Sequence, residues 1–513
     1  MKSTKVKFKP YEQNQLSALP PSLEELIPKD HPVRVVNQVI DKINLDPLIR
    51  KYKPIGCTSY HPRMMLKVLV YGYLSNIYSS RKLEAATREN INFMWLSGME
   101  QPDHNTLNRF RGKRLKGVVK KVFTEVVLLL ISSGHLDLQQ VYTDGTKIES
   151  FANRYTFVWG KSIKINRDRI SKELEELWKY TEEVAKDELK DAGPTQFAAV
   201  EPEEVQRTID QIDNALKDKP VPKKIRQKVS YAKKNWPVRL KSYKEKELIL
   251  GERNSFSKTD HDATFMRMKE DHMKNGQLKP AYNVQISTQD QMIAHFSIHQ
   301  SPTDTTTLKS HLESFQESIG KLPKEIIADA GYGSEENFDF LDTNRVEAYV
   351  KDNYFDKEKH KKEKAKGDFH SDNLHYNNEL DCYYCPMGQK MNFIGIKAEK
   401  TKTGYERELT RYQAQNCAGC PMRGACHKSA NNRIIEVSHR LIQLRSQARE
   451  RLNSEQGIIY RKKRPVDVEP VFGMIKQNRK FKRFLLKGIE KTTIEFALVA
   501  MAHNLLKLCA LGG

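Results

Sequence analysis

Residues 324–341 read KEIIADAGYGSEENFDFL, and this stretch decides the fold. The apolar run EIIA has the character of a buried strand. The glycines that follow make a turn, and the remainder has helical spacing. Asp329 stands at the strand's end, and Gly331 follows after one residue. Residues 139–150, QQVYTDGTKIES, repeat the design: a strand-like alternation reaches Asp144 and then Gly145, read as a glycine-containing turn. Buried strands rarely end in a lone carboxylate. Where two such strands lie side by side their carboxylates repel, and a divalent cation between them removes that penalty.

Outward from these two segments, AYNVQIST (281–288) and MIAHFSIHQ (292–300) alternate as strands, separated by the turn residues Gln289 and Asp290. TTTLKSHLESFQESIG (305–320) is helical and closed by Gly320, and EAYVK (347–351) is one more strand. Strands in this order, with helices between them, predict an α/β core built on a mixed sheet. Two stretches interrupt it. Residues 164–250 are charged and helical, with SKELEELWKYTEEVAKDELKD, VQRTIDQIDNAL and KKIRQKVSYAKK around a loop, AGPTQFAAVEPEE, and they predict a protruding helical insertion. Residues 357–428 are lysine-rich and then cysteine-bearing. The segment TTIEFALVAMAHNLLKLCA (492–510) reads as a core helix.

Residues 1–135 read as a separate all-helical domain, and 136–513 as the core with its two insertions. MMLKVLVYGYL is an apolar helix, and RKLEAATREN a polar one preceded by Ser79 and Ser80. In QPDHNTLNRFRGKRLK, Asp103 can cap a helix that carries Arg109, Arg111, Lys113 and Arg114, a basic face suited to DNA contact. The whole chain has 513 residues and a formal charge of +22, from 87 Lys and Arg against 65 Asp and Glu. The length predicts two to four structural units, and the charge favours a polyanionic partner. No apolar run is read as reaching the ~20 residues that span a membrane, and MKSTKVKFKPYEQNQL is not a secretory signal. The expectation is a cytoplasmic protein without a membrane partner.

Glu469 completes a set with Asp144 and Asp329. It lies in RKKRPVDVEPVFGMIKQNRKFKRF, where Pro470 fits a helix's first turn. Lys476 lies two turns further on the same face. Arg464, Lys476, Arg479 and Lys480 surround Glu469 with positive charge able to meet DNA phosphates. Three carboxylates suffice to hold two Mg²⁺ (or Mn²⁺) ions, the arrangement that drives in-line phosphoryl displacement. Asp304, in SPTDTTTL, is an alternative acid.

Five of the seven cysteines fall between 382 and 426. Cys382 and Cys385 form one CxxC, Cys417 and Cys420 another, and Cys426 and His427 follow. Two such knuckles supply four thiolates for a structural Zn²⁺, with Cys426 as an alternative ligand. Cys57 and Cys509 read as core residues.

YTDGTKIES, IADAGYGSEENFDFL and VEPVFGMIKQNRKF resemble the three catalytic segments of DDE-type bacterial insertion-sequence transposases with an RNase H-like core. PDHNTLNRFR resembles the helical domain that precedes that core in one large group. The resemblance implies that Asp144, Asp329 and Glu469 are the first, second and third catalytic acids, and that Lys476 is the basic residue after the glutamate. It implies a fold of an RNase H-like mixed sheet, an all-α N-terminal domain, a helical insertion and a zinc-ribbon-like insertion. The family pattern also has Tyr and Arg upstream of the Glu. Tyr460 and Arg464 are present, but Arg464 stands five residues before Glu469 rather than four, which leaves their roles open. The implied activity is binding of an element's terminal inverted repeats, metal-dependent strand cleavage and strand transfer, carried out on double-stranded DNA by a dimer or higher assembly. The alternatives are a hydrolytic nuclease of the same fold and a non-enzymatic, zinc-containing DNA-binding protein.

Overall fold

The computed structural model describes residues 21–52, 58–188, 201–268, 276–352, 355–356 and 369–512. Cys57, part of the loop at 192–204 and the start of the lysine-rich stretch lie outside them. The chain divides into two compact units, Met1–Leu129 with Leu498–Gly513, and Leu130–Ala497.

The first unit is helical among its described residues. Helices Pro32–Lys42, Pro62–Leu74, Ser80–Glu89, Ile91–Ser97 and His104–Arg109 bury Val36, Leu66, Leu69, Leu83, Phe93 and Leu107. Two of them start with proline, whose missing N–H is no loss at a first helical position. Asp103 caps His104–Arg109 by accepting the Thr106 N–H at 2.6 Å. That bond holds its carboxyl below the ordinary range. Ser79 precedes its helix without a side-chain cap. The basic run continues into a wider turn, Phe110–Arg114.

The second unit is a mixed α/β structure. Its main sheet contains β1 (Gln140–Glu149), β4 (Thr264–Arg267), β5 (Leu278–Gln289), β6 (Met292–His299), β7 (Glu325–Ala328) and β8 (Glu347–Val350). Strand β1 is central. It pairs antiparallel with β5 on one side and parallel with β7 on the other, and β7 pairs parallel with β8. The outer edge of β5 carries β4 and β6. Asp290 and Gln291 turn the β5–β6 hairpin with positive φ, as a tight turn between twisted strands requires. Helix Leu308–Ile319 ends at Gly320, φ +87°.

One local expectation is corrected. Strand β1 does not turn at Gly145 but runs on to Glu149, with Asp144 opposite Ile286 and Gly145 opposite Gln285. Glycine serves here for close approach. A Cβ at 145 would lie 2.6 Å from Asp304 Oδ1 and 2.9 Å from Gln285 Cδ.

Two smaller modules project from this sheet in sequence. Strands β2 (Phe157–Trp159) and β3 (Ser255–Ser257) pair at the ends of three helices, Gly160–Val184, Pro202–Ala215 and Lys223–Leu250. The helices enclose their own core of Leu174, Trp178, Ile209, Ile212 and Trp236. Further on, β9 (His375–Asn377), β10 (Cys382–Tyr384), β11 (Lys390–Lys400), β12 (Glu406–Ala414) and β13 (Ile434–Val437) form a five-stranded antiparallel sheet.

Among the described residues one helix, Ile489–Ala510, is long and apolar enough by length and composition to cross a membrane, which corrects the reading of no such run. About two thirds of its apolar stretch (67%) is buried inside the protein. Glu495, fully buried on it, accepts the Leu485 and Leu486 N–H groups at 2.9 Å.

Candidate active site

Parallel pairing of β1 with β7 sets Thr143 opposite Ala328, so the next residues on the two strands, Asp144 and Asp329, stand side by side. Asp144 is buried and accepts its neighbour's N–H, that of Gly145, at 2.8 Å. Asp329 has left the strand and caps the short turn Ala330–Tyr332, accepting the Gly331 N–H at 2.9 Å.

The third acid arrives from helix Glu455–Asp467 and its continuation, Glu469–Gly473. Asp467 fixes the junction. Its buried carboxylate accepts the Thr288 hydroxyl at 2.7 Å and the Asp290 N–H at 2.9 Å, fastening the helix end to the β5–β6 hairpin. Tyr460, on the same helix, donates its hydroxyl to Glu325 on β7 and sets its ring edge-on to Tyr142 and Tyr349.

This placement brings Arg464 over the two aspartates. Its guanidinium lies 3.4 Å from Asp144 Oδ2, 3.6 Å from Asp329 Oδ2 and 3.9 Å from Glu469 Oε1. The three acids predicted from sequence are therefore gathered around one cation. Arg464, assigned from sequence to DNA, faces the acids. Its side chain is 15% exposed, against 8% for Asp144, 41% for Asp329 and 59% for Glu469.

A polar network beneath the acids was only partly legible in sequence. Asp304 Oδ1 accepts Asn283 Nδ2 and Gln285 Nε2, both at 2.8 Å. The Tyr332 hydroxyl donates to Gln285 Oε1. Burial first, and then the carboxylates of Asp304, Asp144 and Asp329, hold that phenol well above its ordinary pKa, so it stays a donor. Thr305 Oγ1 donates to the Gly331 carbonyl at 3.0 Å, and Asn337 Nδ2 to the Thr305 and Tyr332 carbonyls at 2.9 Å. Asp304 thus lies against both Gly145 and Gly331, the glycines that follow the two aspartates. The signal in sequence was the acid itself in SPTDTTTL; its partners on β5 carried none.

The basic candidates separate by burial. Arg109, Lys113 and Lys480 are exposed. Arg111 is read from sequence as part of the basic face, but the fold buries it. It donates to the Tyr73 hydroxyl at 3.1 Å, the Tyr78 carbonyl at 2.8 Å and Asn108 Oδ1 at 2.9 Å. Arg114 is half-buried, donating to the Lys51 carbonyl at 2.5 Å and lying 4.4 Å over the Tyr52 ring. Lys476 and Arg479 are buried as well. A helical wheel cannot foresee this, because the wide turn Met474–Asn478 rotates them inward.

Among the described residues no three His, Cys, Asp or Glu side chains are close enough together to hold a metal ion as they stand. By donor type the three acids suit a hard divalent cation: oxygen ligands with an excess of negative charge, now offset by Arg464. Cys382, Cys385, Cys417, Cys420 and Cys426 are all free thiols.

The class so far is a mixed α/β protein with acids gathered on two neighbouring parallel strands, one within β1 and one just past β7, in a chain that also has a helical unit. Residues 384–509 match the family described as transposase DDE domain, and residues 21–113 match the transposase domain DUF772. Together the two matches support a DDE-type insertion-sequence transposase. A transposase DDE domain is that of a nucleic-acid-processing enzyme, such domains generally use divalent metal ions, and transposases act on DNA. Glu469 and Arg464 fall inside the first match, whereas Asp144 and Asp329 lie outside both. No curated protein matches the chain.

Proposed function

We propose that the chain binds the terminal inverted repeats of an insertion element, cuts a strand at each end, and joins the freed 3′-OH to target DNA. The observation that carries this reading is the meeting of Asp144, Asp329 and Glu469, remote in sequence, around the Arg464 guanidinium. The strand order also supports an RNase H-like core, by analogy of fold: an antiparallel β6–β5–β1 meander, then parallel β7 and β8. Asp144, Asp329 and Glu469 would hold two Mg²⁺ or Mn²⁺ ions, which supply activation of the attacking oxygen and stabilisation of the leaving one.

The chain's own residues have separable tasks in this reading. Strand β1 holds Asp144 rigid between β5 and β7. Asp304, with Asn283 and Gln285, is a positioning group for the two glycine-flanked aspartates. Arg464 offsets the charge of the acids when no other cation does. The exposed Arg109, Lys113 and Lys480 are available to phosphates. Residues 1–135 would serve as the DNA-binding domain, and 136–513 as the catalytic core with insertions at 164–250 and 357–428. Synapsis of two ends implies a homodimer or larger assembly, acting on DNA in the cytoplasm.

The test uses DNA carrying the element's ends. Asp144→Ala, Asp329→Ala and Glu469→Ala should each abolish Mg²⁺-dependent cleavage and leave end binding nearly intact, because Lys and Arg supply most of the affinity. Cleavage that survives Asp329→Ala would sink the assignment. Supplying pre-cut ends and scoring strand joining separates a transposase from a hydrolytic nuclease.

A further inference from the structure

The five-stranded sheet β9–β13 has a small core, centred on Tyr383, Met391, Tyr412, Ile435 and Val437. The apolar side chains Phe393, Ile394 and Ile396 on β11 remain exposed. So small an apolar interior needs a second source of stability. At one end of the sheet lies a cavity of about 30 Å³ whose walls include Cys385, Cys417, Cys420, Cys426 and His427. Four cysteines line it from three separate pieces of chain: the residue after β10, the loop after β12 and the short helix Arg423–Cys426. Donors of Arg433 face two of the cysteines. The Arg433 N–H donates to Cys417 Sγ at 3.3 Å, and the Arg433 guanidinium to Cys426 Sγ at 3.0 Å. Arg423 also lines the cavity. Both ring nitrogens of His427 are buried without a hydrogen-bond partner. Cys382 is different. It is fully buried and does not line the cavity.

We propose that Cys385, Cys417, Cys420 and Cys426 form a structural site for one zinc ion, and that Cys382 is not a ligand. Thiolates select a soft or borderline cation, and four of them fill a tetrahedral shell with no position left for catalysis. Four thiolates around a divalent ion carry a net charge of −2, which the guanidinium groups of Arg423 and Arg433 offset. The sulfurs must draw in around the cavity to ligate, so the ion ties the three pieces of chain together. His427 lies beside the shell, outside it. The proposal is independent of the reading of the acidic site.

The experiment is metal analysis of the full chain, purified reduced from zinc-supplemented cells. About one zinc per chain is expected. Cys385→Ser, Cys417→Ser, Cys420→Ser and Cys426→Ser should each cut the retained zinc roughly tenfold, while Cys382→Ser and His427→Ala keep it. Poor folding of a variant does not spare the idea, because cobalt substitution of the wild type gives a second reading. Sulfur-to-cobalt charge-transfer bands of a four-thiolate tetrahedral site support the assignment. A folded, reduced wild type that retains no zinc and shows no such bands overturns it. So does loss of zinc on Cys382→Ser or His427→Ala in a folded variant.

Discussion

Replacing Arg464 by alanine removes a cation that lies close to Asp144, Asp329 and Glu469 alike. The three contacts are not equal. Asp329 and Glu469 are 41% and 59% exposed, so water screens them and each pair contributes about 0–1 kcal/mol. The Asp144 pair is 8% and 15% exposed at 3.4 Å, and its loss takes a guanidinium away from a buried carboxylate that stands beside Asp329. That term dominates, at about 1–3 kcal/mol. Unfolding entropy scales with size, so in a unit this large the melting temperature should fall by about 1–4 °C without divalent metal. Mn²⁺ should reverse the order. The guanidinium competes with a cation for the same oxygens, so the variant should bind Mn²⁺ more tightly. A tenfold gain corresponds to about 1.4 kcal/mol of extra stabilisation at saturation. Scanning fluorimetry across a Mn²⁺ series reads both effects and needs no DNA. Lys463→Ala is the control, since Lys463 pairs with the exposed Asp290 and should shift stability by under about 1 kcal/mol. An Arg464→Ala protein with the wild-type melting temperature and the wild-type Mn²⁺ response would refute the reasoning.

Gly145→Ala should destabilise by about 1–3 kcal/mol, because its Cβ meets Gln285 and Asp304 in a pinned network. Gly112→Ala, in open space, should change thermal stability by less than about 0.5 kcal/mol; equal effects at the two sites would contradict the packing argument. Arg111→Ala should cost about 1–3 kcal/mol, because it empties a buried position and removes three hydrogen bonds, to the buried Tyr73 hydroxyl, the Tyr78 carbonyl and Asn108. Arg109→Ala and Lys113→Ala should leave melting unchanged while each lowers the salt slope of DNA binding by about 0.9, measured by titration at several ionic strengths. Asp467→Ala should cost about 1–3 kcal/mol, seen as a lower melting temperature, because it removes the acceptor of the Asp290 N–H and leaves the Thr288 hydroxyl with only its 3.4 Å bond to the Tyr142 carbonyl. A melting temperature equal to wild type would mean that another contact holds the junction.

Much of this protein is legible one segment at a time. EIIAD and QQVYTD announce buried strands that carry an acid, because alternation and β-branching mark a strand and a carboxylate there is out of place. Asp103 and Gly320 mark helix ends because their chemistry is local, a side-chain acceptor in one case and a left-handed backbone in the other. The CxxC pairs are visible for the same reason. Tertiary structure alone decided which residues share a place. Arg464 meets the acids because Asp467 and Tyr460 fasten its helix to strands far away in sequence. Arg111, Lys476 and Arg479 look like surface cations in a basic run, but wide turns roll them inward. Cys382 belongs to a CxxC, yet it lies apart from the cavity that its neighbour Cys385 lines. Spacing along a chain fixes what each residue can do nearby. Strand register and the rotation of a helix about its axis fix what it meets, and both are set by contacts between segments that no single segment contains.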